Sequence, residues 1–140
     1  GGPTGLFAAF YAGLRGITCR IIDSLPELGG QLTALYPEKY IYDVGGFPRI
    51  LARDLAKNLA EQGLQFGADV RLEEQVRELI TDGDGYILTT DRGRYPTKTV
   101  LIAGGKGGAG DKMEAMRSAG ITVADSPASL GSSMLSLMKG

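Results

Sequence analysis

Histidine and tryptophan are absent from this 140-residue sequence, and cysteine occurs once, as Cys19. Without histidine the chain lacks the commonest general base and the commonest metal ligand, and phosphohistidine chemistry is excluded. A single cysteine excludes a disulfide framework and a cysteine-rich metal site. Inside an apolar stretch, Cys19 is expected to be a small core residue. No catalytic residue and no metal ligand is therefore predicted.

Long apolar runs and blocks of one charge are also missing. No run reaches the roughly 20 residues that span a bilayer, and no charged start precedes an apolar run as in a signal peptide. The net charge is −1, without a basic block that would attract nucleic acid or an anionic membrane surface. These features predict a cytoplasmic protein with neither nucleic acid nor a membrane as partner.

Glycine is the residue in excess. The sequence has 22 glycines, about twice the usual share of ~7%. Many fall in clusters, which favours backbone that approaches a phosphate over disorder.

The first half of the chain alternates helical and extended patterns. Apolar spacing predicts a helix over residues 6–14 that Gly16 ends, then a buried strand over residues 17–23. Residues 24–47 show no period, and a long irregular stretch of this kind is usually functional. A second helix is predicted from Pro48 to Gly63.

The second half begins with a short strand over residues 70–72. Strands over residues 76–81 and 86–90 flank Asp82-Gly83-Asp84-Gly85, a strong hairpin signal. Residues 99–103 (TVLIA) are typical of a buried strand, and a helix, a strand and a second helix are predicted after residue 110.

Two glycine loops match the pattern of a dinucleotide site, in which a helix N-terminus faces a pyrophosphate and an acid about twenty residues on holds a ribose. In the first loop, Gly2 and Gly5 match the second and third glycines, and Asp23 is the acid. The sequence is expected to open inside this motif, after its first glycine and strand. A glycine turn that merely packs on a helix fits equally well.

The second loop follows the predicted strand at residues 99–103. Its candidate phosphate-binding residues are Gly105, Lys106, Gly107 and Gly110, with Asp125 as the acid. A simple loop with a solvated lysine explains the same residues. If the chain binds an anion, this loop is the expected site rather than residues 1–5, because its strand is present in the sequence.

The order of elements predicts an α/β fold: a Rossmann-like, three-layer, mainly parallel sheet with helices on both faces, plus a small antiparallel β unit. The strand at residues 99–103 is expected to lie beside residues 17–23. A homodimer that exchanges strands is the alternative, since an open sheet edge invites pairing.

The segment GGPTGLFAAFYAGLRGITCRIIDSLPELGGQLTALYPEKYIYDVGGFP resembles the N-terminal, FAD-binding part of thioredoxin-reductase-like ferredoxin–NADP reductases. The resemblance runs through TKTVLIAGG and covers residues 1–105. It implies an oxidoreductase flavoprotein that uses FAD and NADP. The implied cofactor contacts are Gly2, Thr4 and Gly5 at the pyrophosphate, Asp23 at the adenosine ribose, Gln31 on the flavin side, Tyr36 stacked on the isoalloxazine and Val76 at the adenine through its backbone.

Residues 104–140, from GGKGGAGDKM to LSLMKG, are similar to the C-terminal end of the succinate–CoA ligase alpha subunit. The two resemblances meet at VLIAGG and together imply a chimera whose second part completes one α/β domain. Weak or absent FAD binding is expected, without a complete catalytic apparatus. A nucleotide- or phosphate-binding module and a chimera without any ligand are the alternatives.

Overall fold

A computed structural model of the chain describes residues 1–103. Within them the α/β class predicted from the sequence is confirmed, with three helices, a parallel strand pair and antiparallel strands. No helix in this described part is long and apolar enough to cross a bilayer. The elements are α1 (Pro3–Leu14), β1 (Arg20–Ile22), α2 (Gln31–Ala34), β2 (Tyr40–Ile41), β3 (Ile50–Leu51), α3 (Ala52–Leu64), β4 (Asp69–Arg71), β5 (Val76–Asp82), β6 (Gly85–Thr90) and β7 (Arg94–Thr97).

The core lies between α1, α3 and the parallel strand pair. Strands β1 and β4 pair in parallel, with Ile21 opposite Val70, and the connection between them contains α3, as a parallel pair requires. Leu6, Ala9 and Ile21 are the buried centre of this core. The partly buried residues around them are Cys19, Leu28, Leu59, Ala60, Leu64, Ala68 and Val70. Cys19, predicted to be a small core residue, packs against this core and is partly buried.

Helix α1 begins at Pro3, three residues before the predicted start. Proline has no N–H to lose in the first turn, and its fixed φ suits that position. The preceding Gly2 is the N-cap residue. The helix ends at Leu14, and Gly16 follows with a φ of +70°, which confirms the predicted stop.

Helix α3 begins at Ala52 rather than at Pro48. Residues Ile50 and Leu51 are instead extended and pair antiparallel with Ile41 and Tyr40 of β2. Gly63, predicted to end the helix, lies inside it. A Cβ built on Gly63 would stand 2.8 Å from the Leu6 carbonyl oxygen, so this glycine is where the two helices touch.

Strands β5, β6 and β7 form one antiparallel sheet in that order. The predicted hairpin is confirmed: Asp82 pairs with Gly85, and Gly83 in the turn has a φ of +59°. Strand β7 was not predicted. It contains Pro96 and lies at an edge of the sheet, where a residue without an N–H is tolerated.

The prediction of a buried strand over residues 99–103 is wrong. These residues form no strand, and Leu101 and Ile102 are 66% and 49% exposed. Strand β1 pairs with β4 and not with this segment. The segment instead passes the start of α1, where a Cβ on Gly5 would lie 3.9 Å from the Ala103 Cβ. An apolar run becomes a strand only where a partner strand offers its hydrogen bonds.

Candidate functional site

The first glycine loop leads directly into α1. Gly2 has an extended backbone (φ −78°, ψ −178°), and no side chain caps the helix. The Leu6 N–H donates to the Gly2 carbonyl at 3.0 Å. Helix geometry gives the earlier amides no partner within the helix, and they carry partial positive charge. The amides of Thr4 and Gly5 are therefore suited to an anion.

A second glycine pair, Gly29 and Gly30, lies against this loop. The Gly29 N–H donates to the Gly1 carbonyl at 2.8 Å. A Cβ built on Gly30 would stand 2.8 Å from the Gly2 Cα, and Gly30 has a φ of +58°. Only glycine allows both the backbone angle and the approach. The backbone of the second glycine pair, which has no side chains, thus lies directly against the start of the loop.

Asp23 follows β1 and lies beside the same loop. Its Oδ2 is 2.7 Å from the amino group of Gly1, and its side chain is 15% exposed. Its Oδ1 accepts a hydrogen bond from the Leu25 N–H at 2.9 Å. The carboxylate is therefore oriented by two donors, one on each oxygen, and faces the glycine turn.

Gln31 and Tyr36 continue from the second glycine pair. Gln31 is exposed and begins α2, directly after Gly30. Tyr36 is 53% exposed, and the Lys39 Nζ lies 5.4 Å from the centre of its ring. Tyr36 lines a mainly aromatic and aliphatic groove of about 360 Å³. The groove residues are Leu32, Tyr36, Lys39, Tyr40, Ile41, Tyr42 and Asp43.

Val76 is the first residue of β5 and is 43% exposed. Two residues earlier, the Glu74 N–H donates to the Asp23 carbonyl at 3.0 Å. The backbone on which Val76 lies is thereby tied to the turn that carries Asp23.

The structure brings several of the predicted contacts together. Gly2 touches Gly30, Gly1 pairs with Asp23, and Asp23 is bonded to the backbone next to Val76. Gln31 directly follows Gly30 in the chain. Tyr36 lies in the groove at the far end of α2. The second glycine loop, Gly105, Lys106, Gly107, Gly110 and Asp125, lies outside the described residues.

Sequence reasoning missed a buried polar cluster beside this site. Glu74 is 3% exposed, and its Oε1 accepts hydrogen bonds from the Thr90 hydroxyl at 2.5 Å and the Tyr95 hydroxyl at 2.7 Å. Nothing in the local pattern distinguishes Glu74 from the exposed acids near it. Among residues 1–103, no group of three or more metal-ligating side chains is placed to hold a metal ion.

Hydrogen bonding sets the electrostatics of this cluster. The bonds from Thr90 and Tyr95 stabilise the carboxylate and hold the Glu74 pKa below its ordinary value, against the opposing effect of burial. The same bond to Glu74 raises the pKa of Tyr95. At neutral pH the pair is therefore a carboxylate and a protonated hydroxyl. Burial alone raises the pKa of Cys19, which keeps its thiol protonated.

Known proteins resemble this chain over about three quarters of its length. It is 57% identical over 108 residues to the ferredoxin–NADP reductase of Enterococcus faecalis, and 54% identical over 107 residues to that of Thermus thermophilus. Each alignment covers 76% of this chain and 32% of the relative. The matched part of this chain is similar in sequence to part of these reductases. The chain spans about a third of the length of the curated relatives that it matches, and no protein-family model matches it.

Solved structures agree with this similarity. The thioredoxin reductase of Streptococcus pyogenes MGAS5005 superposes with a TM-score of 0.62 at 26% identity, over 70% of this chain and 30% of that one. The thioredoxin reductase of T. acidophilum gives 0.61 at 30% identity, over 69% and 30%. The α/β arrangement described above is therefore that of part of a thioredoxin reductase fold.

Proposed function

We propose that residues 1–103 form the FAD-binding part of a flavin-dependent reductase like these relatives, and that the chain binds FAD reversibly there. The observation that carries this proposal is one group of contacts. The glycine turn at Gly2, the acid Asp23 and the second glycine pair at Gly30 meet at the start of α1. A turn, an acid and a helix N-terminus are what a dinucleotide requires.

The turn suits the pyrophosphate. Gly2 has no side chain, and the nearest atom to a Cβ built there would be the Gly30 Cα at 3.7 Å. A phosphate oxygen can therefore approach the Thr4 and Gly5 amides, which would donate to it at the positive end of the helix.

Asp23 suits the adenosine ribose. Each carboxylate oxygen has one donor in the structure, and a carboxylate has about four acceptor positions in all. The remaining acceptor positions can take ribose hydroxyls.

The groove at Tyr36 suits the flavin end. The Tyr36 side chain is about half exposed and offers an aromatic stacking surface, and most of the other groove residues are apolar or aromatic. In the chain Gln31 follows the glycine pair and precedes the groove residue Leu32, and its amide can bond a flavin heteroatom. When bound, FAD supplies hydride and electron-transfer chemistry, and these residues would only bind and orient it.

The test is a titration of FAD into the 140-residue chain, followed by flavin fluorescence and visible absorption. We expect saturable quenching that ADP competes away. Gly2→Val places a branched side chain where the phosphate approaches and should abolish competition by ADP. Gly45→Val is the matched control, because a Cβ on Gly45 would meet nothing within 4 Å. Equal binding by the two variants would contradict the proposal.

Tyr36→Ala tests the flavin end. Stacking of a base on an aromatic side chain contributes roughly 1–3 kcal/mol, so FAD affinity should fall at least fivefold and quenching should weaken. Tyr11→Ala, on α1 and outside the groove, should leave affinity unchanged. An unaltered dissociation constant for Tyr36→Ala would mean that Tyr36 does not stack on the flavin.

Phosphate or nucleotide binding at Gly105–Gly110 is the alternative, and it stays a prediction from the sequence pattern. Gly107→Val should abolish saturable phosphate or ADP shifts in the amide NMR spectrum if that loop is the site. Loss of those shifts in Gly2→Val alone would instead favour the first loop. If the chain shows neither amide shifts nor quenching with any of these ligands, the remaining hypothesis is supported, namely a chimera that binds no ligand.

Two further proposals follow from the sequence resemblance. One is that residues 104–140 derive from the C-terminal end of a succinate–CoA ligase alpha subunit and were joined at residues 100–105. A single natural gene that encodes residues 1–140 without a junction at residues 100–105 would contradict it. The other is a homodimer by strand exchange at the edge of β1 that no strand of residues 1–103 covers. Analytical ultracentrifugation should then show twice the monomer mass, and a monomer at high concentration would exclude it.

A further inference from the structure

The buried carboxylate of Glu74 lies where three parts of the molecule meet. Its backbone N–H donates to Asp23, in the turn after β1, at 3.0 Å. Its side chain accepts hydrogen bonds from Thr90 at the end of β6 and from Tyr95 in β7, at 2.5 and 2.7 Å. Glu74 thus connects the antiparallel sheet to the turn that carries the candidate ribose ligand.

The partners of Glu74 are themselves held in place. The Thr90 Oγ1 accepts hydrogen bonds from the Arg92 and Gly93 N–H groups at 3.1 and 2.9 Å, which closes the turn between β6 and β7. The Tyr95 ring lies under the Arg20 guanidinium, with 4.6 Å between the Arg20 Cζ and the ring centre. Arg20 belongs to β1 and pairs with Asp69 of β4 at 2.6 Å.

The charged groups around the cluster favour an ionised Glu74. The positive charges of Arg92 and Arg71 both lower the pKa of the Glu74 carboxyl. A carboxylate of a residue only 3% exposed, with two hydroxyl donors, is costly to leave half satisfied. The carboxylate therefore makes a specific connection between the antiparallel sheet and the turn after β1.

We propose that Glu74 is a positioning residue for the adenosine end of the site. By holding the antiparallel sheet against the turn after β1, it orients the Asp23 carboxylate and the backbone at Val76. It contacts no ligand itself. This inference rests on the proposed FAD site, because it assigns Glu74 a role only at the end of the cofactor that Asp23 and Val76 would bind.

The test compares two ligands that probe the two ends separately. ADP reports on the turn and Asp23, and riboflavin reports on the groove at Tyr36. Glu74→Gln keeps the size of the side chain but removes its charge and introduces an amide that must donate. We expect ADP affinity to fall roughly tenfold, the equivalent of one strong charged hydrogen bond, while riboflavin affinity stays unchanged. Glu78→Gln, an exposed acid on β5, is the matched control and should change neither.

The outcomes separate this inference from the function on which it rests. Binding of neither ligand by the unmodified chain would overturn the proposed function and this inference with it. Equal ADP affinity in the unmodified chain and Glu74→Gln would overturn the inference alone. So would an equal loss of both affinities, because general destabilisation does not distinguish the two ends. If Glu74→Gln does not fold, Tyr95→Phe removes one donor and should weaken ADP about threefold; unchanged ADP affinity there overturns the inference.

Discussion

The helix pair α1–α3 and the antiparallel sheet β5–β6–β7 are held in place by different means. The helices meet backbone to backbone, where Gly63 lies against the Leu6 carbonyl. Strand β5 is largely exposed, and Glu74 attaches the sheet by hydrogen bonds from the side chains of Thr90 and Tyr95. The first contact requires the absence of a side chain, whereas the second requires a particular charge. A substitution at the helix contact should therefore destabilise the protein at any pH. Acid alone should weaken the attachment of the sheet.

Gly63→Val should have the largest effect on stability. The added Cβ would stand 2.8 Å from the Leu6 carbonyl oxygen, so the helices must separate. Forcing extra atoms into a packed contact costs typically up to about 3 kcal/mol, and we expect a loss near that limit in urea unfolding. Gly45→Val, in open space, is the control. A small loss in Gly63→Val would show that the helix contact adjusts easily.

Acid should weaken the attachment of the sheet next most strongly. The Glu74 pKa is held below its ordinary value of 4.5, so its contribution is complete above that value and is lost as pH falls through the lowered pKa. Glu74→Gln should flatten this part of the stability–pH curve relative to Glu78→Gln. Equal acid dependence in both variants would contradict the assignment.

A substitution in the hairpin turn should have a smaller effect on stability, for a different physical reason. Gly83 has a φ of +59°, but a Cβ there would meet nothing within 4 Å. Gly83→Ala should therefore cost only the backbone strain, about 1 kcal/mol, measured by thermal or urea unfolding. A loss as large as that of Gly63→Val would remove the distinction between a strained glycine and a packed one.

The exposed ion pair of Arg53 and Glu38 should contribute least. Its side chains are 54% and 70% exposed, and exposed pairs typically contribute less than about 1 kcal/mol. We expect Glu38→Gln to change the free energy of unfolding by less than about 0.5 kcal/mol. A larger effect would show that the difference in exposure between Glu38 and Glu74 does not predict how much each contributes to stability.

The sequence predicted the parts that depend on neighbouring residues. The hairpin at residues 82–85 was found from its turn residues, and the apolar spacing located both long helices to within a few residues. The structure places Asp23 beside the start of the turn at Gly2 and Gly5, but the role of these residues as a dinucleotide site stays a prediction. The roles of Gln31, Tyr36 and Val76 came from resemblance, and they stay predictions.

Other features could not be predicted because they involve residues distant in sequence. Gly63 was interpreted as a helix stop, since the pattern cannot show that Leu6 lies against it. Residues 99–103 have the composition of a buried strand, but they form no strand beside β1, which among residues 1–103 pairs with β4 alone. Glu74 looks like its exposed neighbours, although Thr90 and Tyr95 bury it.

The sequence by itself therefore determined the local elements, the α/β class and the glycine–acid motif. These follow from backbone preferences and apolar periodicity, which act over a few residues. Only the tertiary structure decided which glycine is a contact, which acid is buried and which apolar run has a partner strand. Each of those depends on which distant residue lies within a few ångströms, and that distance is set by packing of the whole chain.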